Sequence, residues 1–291
     1  MPVQRFFEAP DGTFSYLDWG GDGPLTHIAH ATGFCAGVYD PLAQMLATRL
    51  GVVGMDNRGH GRTSAPADPK NLRSWNTFAD DLGFFFNRLK APVISIGHSL
   101  GAVSSMMLAA RQPQLIKALI LIDPTIMSQS LNLLLFISQR LGFTKIFPIV
   151  SGAARRKPVW PDRSTIQEAY SKRVPFNKWT DGFLKGYLDY GFEEIESGSL
   201  KLRCQPAWES RCFSTCPAAV WKIPAQLKMP VLIIYGSSSD VFVSKCALKF
   251  KKECPMVELK RMEGTGHFVP MEQPQQTAKS VFEFLEKLKI L

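Results

Sequence analysis

Short apolar runs alternate with helical patterns along most of the chain. Runs of consecutive apolar residues, such as residues 231–235, are typical of strands buried on both faces of a parallel sheet. The predicted strands lie at residues 5–8, 14–19, 26–30, 52–55, 93–96, 118–122, 231–235 and 257–261. Helix-like segments between them lie at residues 38–49, 77–89, 100–111, 244–253 and 274–288. This alternation predicts an α/β fold with a doubly wound, mostly parallel sheet and right-handed crossovers.

The alternation stops between the sixth and seventh predicted strands. This stretch has a helical apolar run at residues 131–147 and many aromatic residues, but no run typical of a core strand. We therefore predict a core formed by residues 1–124 and 227–291 and a helical cap formed by residues 125–226. A cap over the carboxyl edge of the sheet would enclose an apolar pocket.

Composition indicates a folded protein outside the secretory route. Of the 291 residues, 45% are apolar and 20% are charged, which allows a sizeable core. No apolar run reaches the roughly 18 residues of a membrane span, and the first residues lack the charged and apolar pattern of a secretory signal. We therefore expect a cytoplasmic location.

Six cysteines occur without the paired spacing of a zinc site. In a reducing cytoplasm they are expected to be free thiols, although Cys204, Cys212 and Cys216 are close enough in sequence to leave a bridge open. The sequence therefore predicts no metal site.

Positive charge is concentrated in the predicted cap. The chain has a net charge of +9, and residues 125–227 hold 14 Lys or Arg residues against 8 Asp or Glu residues. The tightest basic run, residues 155–157, is expected to be a solvated loop. The alternative is attraction to anionic substrates or membrane surfaces. No nucleic-acid-binding motif is present.

A turn motif follows the predicted strand at residues 93–96. Residues 97–101 read Gly-x-Ser-x-Gly and precede a predicted helix, which is the setting of a nucleophile elbow. Small flanking residues let the strand and the helix cross closely, and the strained backbone projects the central side chain from the sheet. Ser99 is therefore the predicted nucleophile, provided that the chain supplies a base, an acid and an oxyanion hole.

His267 is the predicted base. It lies in Gly-Thr-Gly-His-Phe, just past the last predicted strand, where a loop ends at the same sheet edge as the elbow. An imidazole there can take the proton of Ser99. The other four histidines lie in the third predicted strand, in a glycine-rich turn, or beside the nucleophile and pointing elsewhere: His27, His30, His60 and His98.

Two carboxylates end strands and could orient the base. Asp240 follows the strand at residues 231–235, and Asp123 ends the strand at residues 118–122. The chain order Ser99, Asp240, His267 is typical of hydrolases with this elbow, so Asp240 is the preferred acid. Asp123 is the alternative acid, and its other interpretation is a residue that closes its own turn.

Two backbone N–H groups are needed to hold the oxyanion. The first predicted donor is Leu100, at the positive end of the helix that it begins. The second is expected in the loop at residues 30–35, where Gly33 permits close backbone approach. Phe34 is the preferred second donor, with Thr32 or Gly33 as alternatives.

Four motifs in order make the chain resemble the α/β-hydrolase family. They are His30 with Gly33-Phe34, Asp56-x-Arg58-Gly59-His60-Gly61-x-x-Ser64, the pentapeptide at residues 97–101, and Gly266-His267-Phe268 followed by Glu272-x-Pro274. The resemblance covers nearly all of the chain except the insertion. It implies an eight-stranded sheet, a helical cap, and a Ser–His–Asp triad that forms an acyl-enzyme without a cofactor. Ala31-Thr32 before Gly33, and Ala102 where many relatives have Gly, depart from the pattern.

The serine points to a serine hydrolase, since dehalogenases and epoxide hydrolases of this family carry an Asp nucleophile. We expect a carboxylic-ester hydrolase for a small or medium apolar acyl substrate. The alternatives within this fold are a carbon–carbon bond hydrolase and an amidase or iminopeptidase. An alternative of another class is a ligand-binding receptor with little turnover.

The apolar run at residues 130–137 has two interpretations. It could be a lid that meets a membrane, but its few basic residues favour a cap helix packed on its own pocket. The expected partner is therefore a small molecule and not a nucleic acid, and the sequence does not define the oligomeric state.

Overall fold

Eleven strands form two sheets in the part of the chain that the structure describes. The computed structural model describes residues 1–196 and 198–291. The strands are β1 (Val3–Ala9), β2 (Gly12–Gly20), β3 (Leu25–Ala29), β4 (Gly51–Met55), β5 (Val93–His98), β6 (Ile116–Ile122), β7 (Val159–Trp160), β8 (Phe192–Glu194), β9 (Leu200–Leu202), β10 (Val231–Gly236) and β11 (Glu258–Met262).

The main sheet has the strand order β1-β2-β4-β3-β5-β6-β10-β11. The pairs β1–β2 and β2–β4 are antiparallel, and every later pair from β4 to β11 is parallel. The predicted doubly wound, mostly parallel sheet is therefore confirmed, and each predicted strand overlaps one of these eight. The parallel strands bring the ends of β3, β5, β6, β10 and β11 to one edge, where ligands bind in such sheets.

Helices cover both faces of this sheet. They are α1 (Asp40–Ala47), α2 (Asn76–Leu89), α3 (Leu100–Arg111), α4 (Gln129–Leu141), α5 (Pro148–Ala154), α6 (Arg163–Ser171), α7 (Phe183–Tyr190), α8 (Pro206–Ser214), α9 (Ser244–Glu253), α10 (Val269–Glu272) and α11 (Pro274–Lys287). Side chains of β6 alternate between two buried clusters, with Leu119 and Leu121 in one and Ile120 and Ile122 in the other. Helices α2, α3 and α9 complete the first cluster, and α1 and α11 complete the second.

Two predicted helices are shorter in the structure than in the sequence pattern. The segment expected at residues 38–49 begins as a 3-10 turn, and α1 starts beside Pro41, which has no N–H to donate in a helix interior. The run expected at residues 131–147 ends as α4 at Leu141, because Gly142 takes a left-handed conformation with φ of 76°. Pro148 then begins α5.

The segment between β6 and β10 holds α4 to α8 and a small antiparallel sheet of order β7-β9-β8. This small sheet is absent from the sequence prediction, because its strands are only two or three residues long and show no alternation. Aromatic residues from other parts of the segment between β6 and β10 pack near the oxyanion loop, as described below.

The six cysteines are all buried and none forms a disulfide in the described chain, so the bridge left open among Cys204, Cys212 and Cys216 is not present. Burial raises the pKa of the Cys216 thiol to about 12, which keeps that thiol protonated and unreactive. Among the described residues, every helix is too short or too polar to pass through a lipid bilayer.

Candidate active site

Ser99 lies at a strained turn between β5 and α3. Its backbone has φ of 56° and ψ of −115°, a combination that L-residues rarely adopt. The close crossing requires small neighbours, since a Cβ atom on Gly97 would lie 2.5 Å from the Cα of Ala102, and one on Gly101 would lie 2.1 Å from the carbonyl oxygen of Ala29. The elbow therefore fixes the direction of the serine side chain, which is 7% exposed.

His267 reaches Ser99 from the loop after β11. Its Nε2 lies 3.0 Å from Ser99 Oγ, and its Nδ1 lies 2.7 Å from Asp123 Oδ1. The carboxylate accepts the proton on Nδ1, so the lone pair of Nε2 faces the serine hydroxyl. The structure thus brings together the predicted nucleophile and the predicted base.

Asp123, the alternative acid, is the carboxylate that contacts His267. It is fully buried at the end of β6. Besides His267, the carboxylate accepts hydrogen bonds from the Ser239 hydroxyl at 2.7 Å and the Gly236 N–H at 3.0 Å. These donors hold the carboxylate in place.

The preferred assignment of Asp240 is therefore corrected. Asp240 is exposed, four residues beyond the end of β10, and makes no contact with His267. The turn before it places Ser239 inward instead, where the Ser239 hydroxyl also accepts from the N–H groups of Val241 and Phe242. The sequence signal for Asp123 is its position directly after β6, the strand next to the elbow strand β5. The order of the three residues along the chain favours Asp240 instead, and this order misleads here.

Thr125 adds a second contact to the nucleophile that the sequence reasoning missed. Its Oγ1 lies 3.0 Å from Ser99 Oγ. Since Nε2 of His267 has a lone pair toward the serine proton, the Thr125 hydroxyl is the donor to Ser99 Oγ when Ser99 donates to His267. No sequence motif marks this position; it follows from the turn after β6.

The oxyanion loop after β3 has most of its N–H groups occupied. Phe34 N–H donates to Ala31 O at 3.3 Å, and Gly33 N–H donates to His60 Nε2 at 3.1 Å. Thr32 N–H has no acceptor among the described residues. A tight turn thus uses the N–H of the preferred donor Phe34, which favours the alternative donor Thr32.

Leu100 has the position that the sequence predicted for the first donor. As the first residue of α3, it has no acceptor within the helix, and the helix dipole gives its N–H a positive field. The loop that carries Thr32 lies close by, because Ala29 of β3 pairs with Gly97 of β5. The hydroxyl of Thr32 is buried without a hydrogen-bond partner, which leaves a further polar atom available at this loop.

Buried histidines hold the loops around the site. His30 Nε2 accepts from Asn57 N–H at 2.8 Å, and burial lowers the pKa of His30 to about 4. Burial likewise lowers the pKa of His60 to about 3 and of His27 to about 3. These three imidazoles are neutral near pH 7 and act as structural hydrogen-bond groups.

His98 joins the oxyanion loop to the loop of His267. Ala31 N–H donates to Tyr39 Oη at 3.1 Å, the Tyr39 hydroxyl lies 2.7 Å from His98 Nδ1, and His98 Nε2 lies 3.0 Å from the carbonyl oxygen of His267. Burial lowers the pKa of His98 well below its usual value. The neutral ring therefore donates from Nε2 and accepts at Nδ1.

Aromatic rings of the cap cover the oxyanion loop. Phe34 lies 5.4 Å from Trp179 and 5.2 Å from Tyr187 between ring centroids, and Trp179 lies 5.7 Å from Phe268. Phe176 packs on Trp179 at 4.6 Å. The indole N–H of Trp179 is buried and has no hydrogen-bond partner in the part of the chain that the structure describes. The cover is thus apolar, with one unused donor.

The ion pair between Arg156 and Glu209 packs against Gly33 of the oxyanion loop. Arg156 Nη1 donates to Glu209 Oε2 at 2.5 Å, and Arg156 Nη2 donates to the hydroxyls of Tyr170 and Tyr187 at 3.1 and 2.5 Å. A Cβ atom on Gly33 would lie 2.3 Å from Glu209 Oε1, so only glycine permits this approach. The run at residues 155–157 is therefore more than a solvated loop, since its central arginine is part of the site wall.

Comparisons with known proteins identify a family model and several hydrolases to which the chain is similar. The family model described as alpha/beta hydrolase fold matches residues 29–274. The chain is 26% identical over 274 residues to 2-(acetamidomethylene)succinate hydrolase of Mesorhizobium japonicum, covering 91% of this chain and 89% of that protein. It is 25% identical over 271 residues to monoglyceride lipase of Rattus norvegicus, covering 89% and 80%.

Solved structures share the fold over nearly the whole chain. The crystal structure of E-2-(acetamidomethylene)succinate hydrolase superposes with a TM-score of 0.82 at 22% identity, covering 98% of this chain and 100% of that one. A thioesterase domain from the curacin biosynthetic pathway superposes with a TM-score of 0.78 at 19% identity, covering 97% and 99%. The resemblance seen in the sequence motifs is thus confirmed, and the chain belongs to the α/β-hydrolase family.

Proposed function

We propose that this protein is a serine hydrolase that cleaves carboxylic esters through an acyl-enzyme. The observation that carries the proposal is the continuous contact from Ser99 Oγ to His267 and from His267 to Asp123, at 3.0 and 2.7 Å. Two backbone N–H groups lie beside it without an acceptor among the described residues: that of Leu100 at the start of α3 and that of Thr32 in the loop after β3. Similarity to a monoglyceride lipase supports ester cleavage.

Acylation uses these groups in order. Ser99 Oγ attacks the ester carbonyl carbon while His267 Nε2 takes the hydroxyl proton, and Asp123 stabilises the imidazolium that forms. The N–H groups of Leu100 and Thr32 donate to the oxyanion, each contributing roughly 3–4 kcal/mol in the transition state. His267 then gives its proton to the alcohol oxygen as the carbon–oxygen bond breaks.

Deacylation repeats the cycle with water. His267 takes a proton from a water molecule whose oxygen attacks the acyl carbon, and the same N–H groups hold the second oxyanion. The acid leaves as His267 returns the proton to Ser99 Oγ. All of these proton transfers pass through one nitrogen, Nε2, because Asp123 fixes the proton on Nδ1.

The state of the cysteines bears on the compartment in which the protein acts. Six buried and unbridged cysteines in the described chain support action in a reducing compartment, the cytoplasm.

A second candidate is hydrolysis of a small acyl compound that carries a carboxylate. The observation in its favour is Arg156, which is partly buried beside Gly33 and lines a cavity of about 380 Å³ together with Arg155, Lys157 and Arg173. Ser99, His267 and Asp123 do not line this cavity, so the cations would act at its boundary with the site. Similarity to 2-(acetamidomethylene)succinate hydrolase supports this candidate. Arg156 is already paired with Glu209, however, so a bound carboxylate would depend on the other three cations.

A substrate panel tests the proposal. We expect multiple turnovers of p-nitrophenyl butyrate and p-nitrophenyl decanoate, with less than a tenth of that kcat/KM for the anilide of butyric acid. A preference for p-nitrophenyl hemisuccinate over the butyrate of about tenfold or more would favour the second candidate, since one well-placed charged contact supplies that much discrimination. A single burst without further turnover would contradict the enzyme assignment and indicate a ligand receptor.

Thr125→Val is expected to lower kcat about tenfold and leave KM nearly unchanged, because the variant loses one hydrogen bond to Ser99 Oγ and keeps its volume. Steady-state kinetics on p-nitrophenyl butyrate measure this effect. Thr125→Ser, which keeps the hydroxyl, should restore most of kcat. Equal losses in both variants would show that Thr125 supports only the packing of the turn and does not position the nucleophile.

A further inference from the structure

Helix α4 exposes most of its apolar side chains to solvent, while two of its three buried side chains are polar. The buried residues are Asn132, Leu135 and Ser138, spaced three apart, and two of these three are polar. The opposite sides of the helix carry leucine, phenylalanine and isoleucine. A surface helix of a soluble protein has the reverse arrangement, so the outward side of α4 requires an explanation.

The exposed apolar surface continues past the end of α4. Nine of the seventeen large apolar side chains that are exposed in the described chain lie within residues 131–149, although this stretch is a small part of the molecule. They are Leu131, Leu133, Leu134, Phe136, Ile137, Leu141, Phe143, Ile146 and Ile149, with exposures from 37% to 63%. We call these nine side chains the lid surface. A concentrated apolar surface of this kind marks an interaction site.

Polar contacts fix this orientation of the helix. Gln139 Nε2 donates to the carbonyl oxygens of Ser214 and Cys216 at 3.0 and 2.8 Å, and Asn132 Nδ2 donates to Met127 O at 3.2 Å. Rolling α4 to bury its leucines would break these bonds. The lid surface is therefore exposed by the way the helix is attached, and an external partner is needed to cover it.

Positive charge predominates around the lid surface. Residues 124–161 contain five Lys or Arg residues and no Asp or Glu. Arg156 is held inside by Glu209, whereas Arg140, Lys145, Arg155 and Lys157 have no carboxylate partner among the described residues. Lys222 and Lys249 also lie beside Leu133 and Phe136, together with one acid, Glu253. Apolar side chains flanked mainly by cations match the boundary of an anionic bilayer, where acyl chains lie beneath phosphate groups.

We propose that the lid surface docks on anionic phospholipid membranes, with its apolar side chains at the level of the acyl chains and the cations within its span, Arg140 and Lys145, on lipid phosphates. Residues 130–137 hold no basic residue, but the exposed apolar surface continues to residue 149 and includes Arg140 and Lys145 in its span. Thr125, in contact with Ser99 Oγ, is four residues before α4, so docking would occur close to the nucleophile. The proposal does not rest on the proposed chemistry.

Co-sedimentation with vesicles tests this proposal on the full chain. We expect binding to vesicles of phosphatidylcholine mixed with phosphatidylglycerol, and much weaker binding to phosphatidylcholine alone or at high salt. The double variant Leu134→Glu with Ile137→Glu should bind the mixed vesicles at least about tenfold more weakly, since it places two charges at the acyl level. Leu248→Glu is the matched control, because Leu248 is an exposed leucine on α9.

Further readouts separate folding and self-association from membrane binding. Thermal unfolding of the double variant must match that of Leu248→Glu, and Ser99→Ala must bind vesicles as the unaltered chain does, which keeps this test independent of the catalytic proposal. The charge variant Arg140→Gln with Lys145→Gln should lose the preference for phosphatidylglycerol. Absence of vesicle binding, or binding unchanged in both double variants, would overturn the proposal. A dimer that dissociates in the Glu variant, without vesicle binding, would show that a second copy covers the lid surface.

Discussion

Ser99→Ala is expected to lower kcat for p-nitrophenyl butyrate by about 10⁶, the loss seen when the nucleophile of a comparable triad is removed. The fold should persist, because alanine keeps the Cβ atom and meets the same strained φ of 56° at the elbow. Labelling by a fluorophosphonate should disappear together with turnover. Intact-protein mass spectrometry and steady-state kinetics measure both effects.

Ser130→Ala provides the matched control, since Ser130 is an exposed serine on α4 outside the site. It should keep full turnover and full labelling. Turnover that survives in Ser99→Ala, with thermal unfolding unchanged, would remove Ser99 as nucleophile and with it the acyl-enzyme.

Asp123→Asn is expected to reduce kcat by about 10⁴ with KM nearly unchanged. The carboxamide can present its NH₂ to Nδ1 and so favour the tautomer with the proton on Nε2, which cannot accept from Ser99. Kinetics at several pH values measure this loss. The remaining oxygen takes the place of Oδ2 and still accepts from the Gly236 N–H, whereas the Ser239 hydroxyl, which donates to Oδ1, loses its acceptor. We therefore expect a modest loss of thermal stability beside a much larger loss of kcat.

Asp240→Asn is the informative comparison, because the two aspartates were the competing acids. We expect its kcat within about twofold of the unaltered chain, as is usual for an exposed substitution away from reacting atoms. The reverse result, a large loss in Asp240→Asn and a small one in Asp123→Asn, would mean that the turn after β10 moves during catalysis and that Asp240 is the working acid.

Local patterns explain why much of the fold was predictable. Apolar runs of β5, β6 and β10 are buried on both faces, so their sequences carry a strong signal. The elbow was readable because Gly97 and Gly101 have no room for a Cβ atom. His267 was readable because it follows the last strand of the sheet, and topology brings that loop to the edge that holds the elbow.

Contacts between distant segments were less predictable. The choice between Asp123 and Asp240 depends on the path of a four-residue turn, and chain order carries no information about that path. The choice between Thr32 and Phe34 depends on one hydrogen bond, from Phe34 N–H to Ala31 O. The position of Arg156 against Glu209 links residues 53 apart and has no local pattern.

The outward side of α4 illustrates a different limit. Its apolar periodicity was visible in the sequence, but periodicity does not say which side faces the body. Burial of Asn132 and Ser138 and the bonds from Gln139 decide that question in three dimensions. A helix whose pattern suits a cap packed on its own pocket can therefore be attached the other way round.

The chain of hydrogen bonds from Ala31 through Tyr39 and His98 to the backbone of His267 has a mechanical consequence. It ties the segment that receives the oxyanion to the segment that carries the base, and its links are buried groups that hold one protonation state. Separating the two segments would break at least one of these three buried hydrogen bonds, and an unmade buried bond is costly. The chain therefore favours a constant distance between proton acceptor and anion holder.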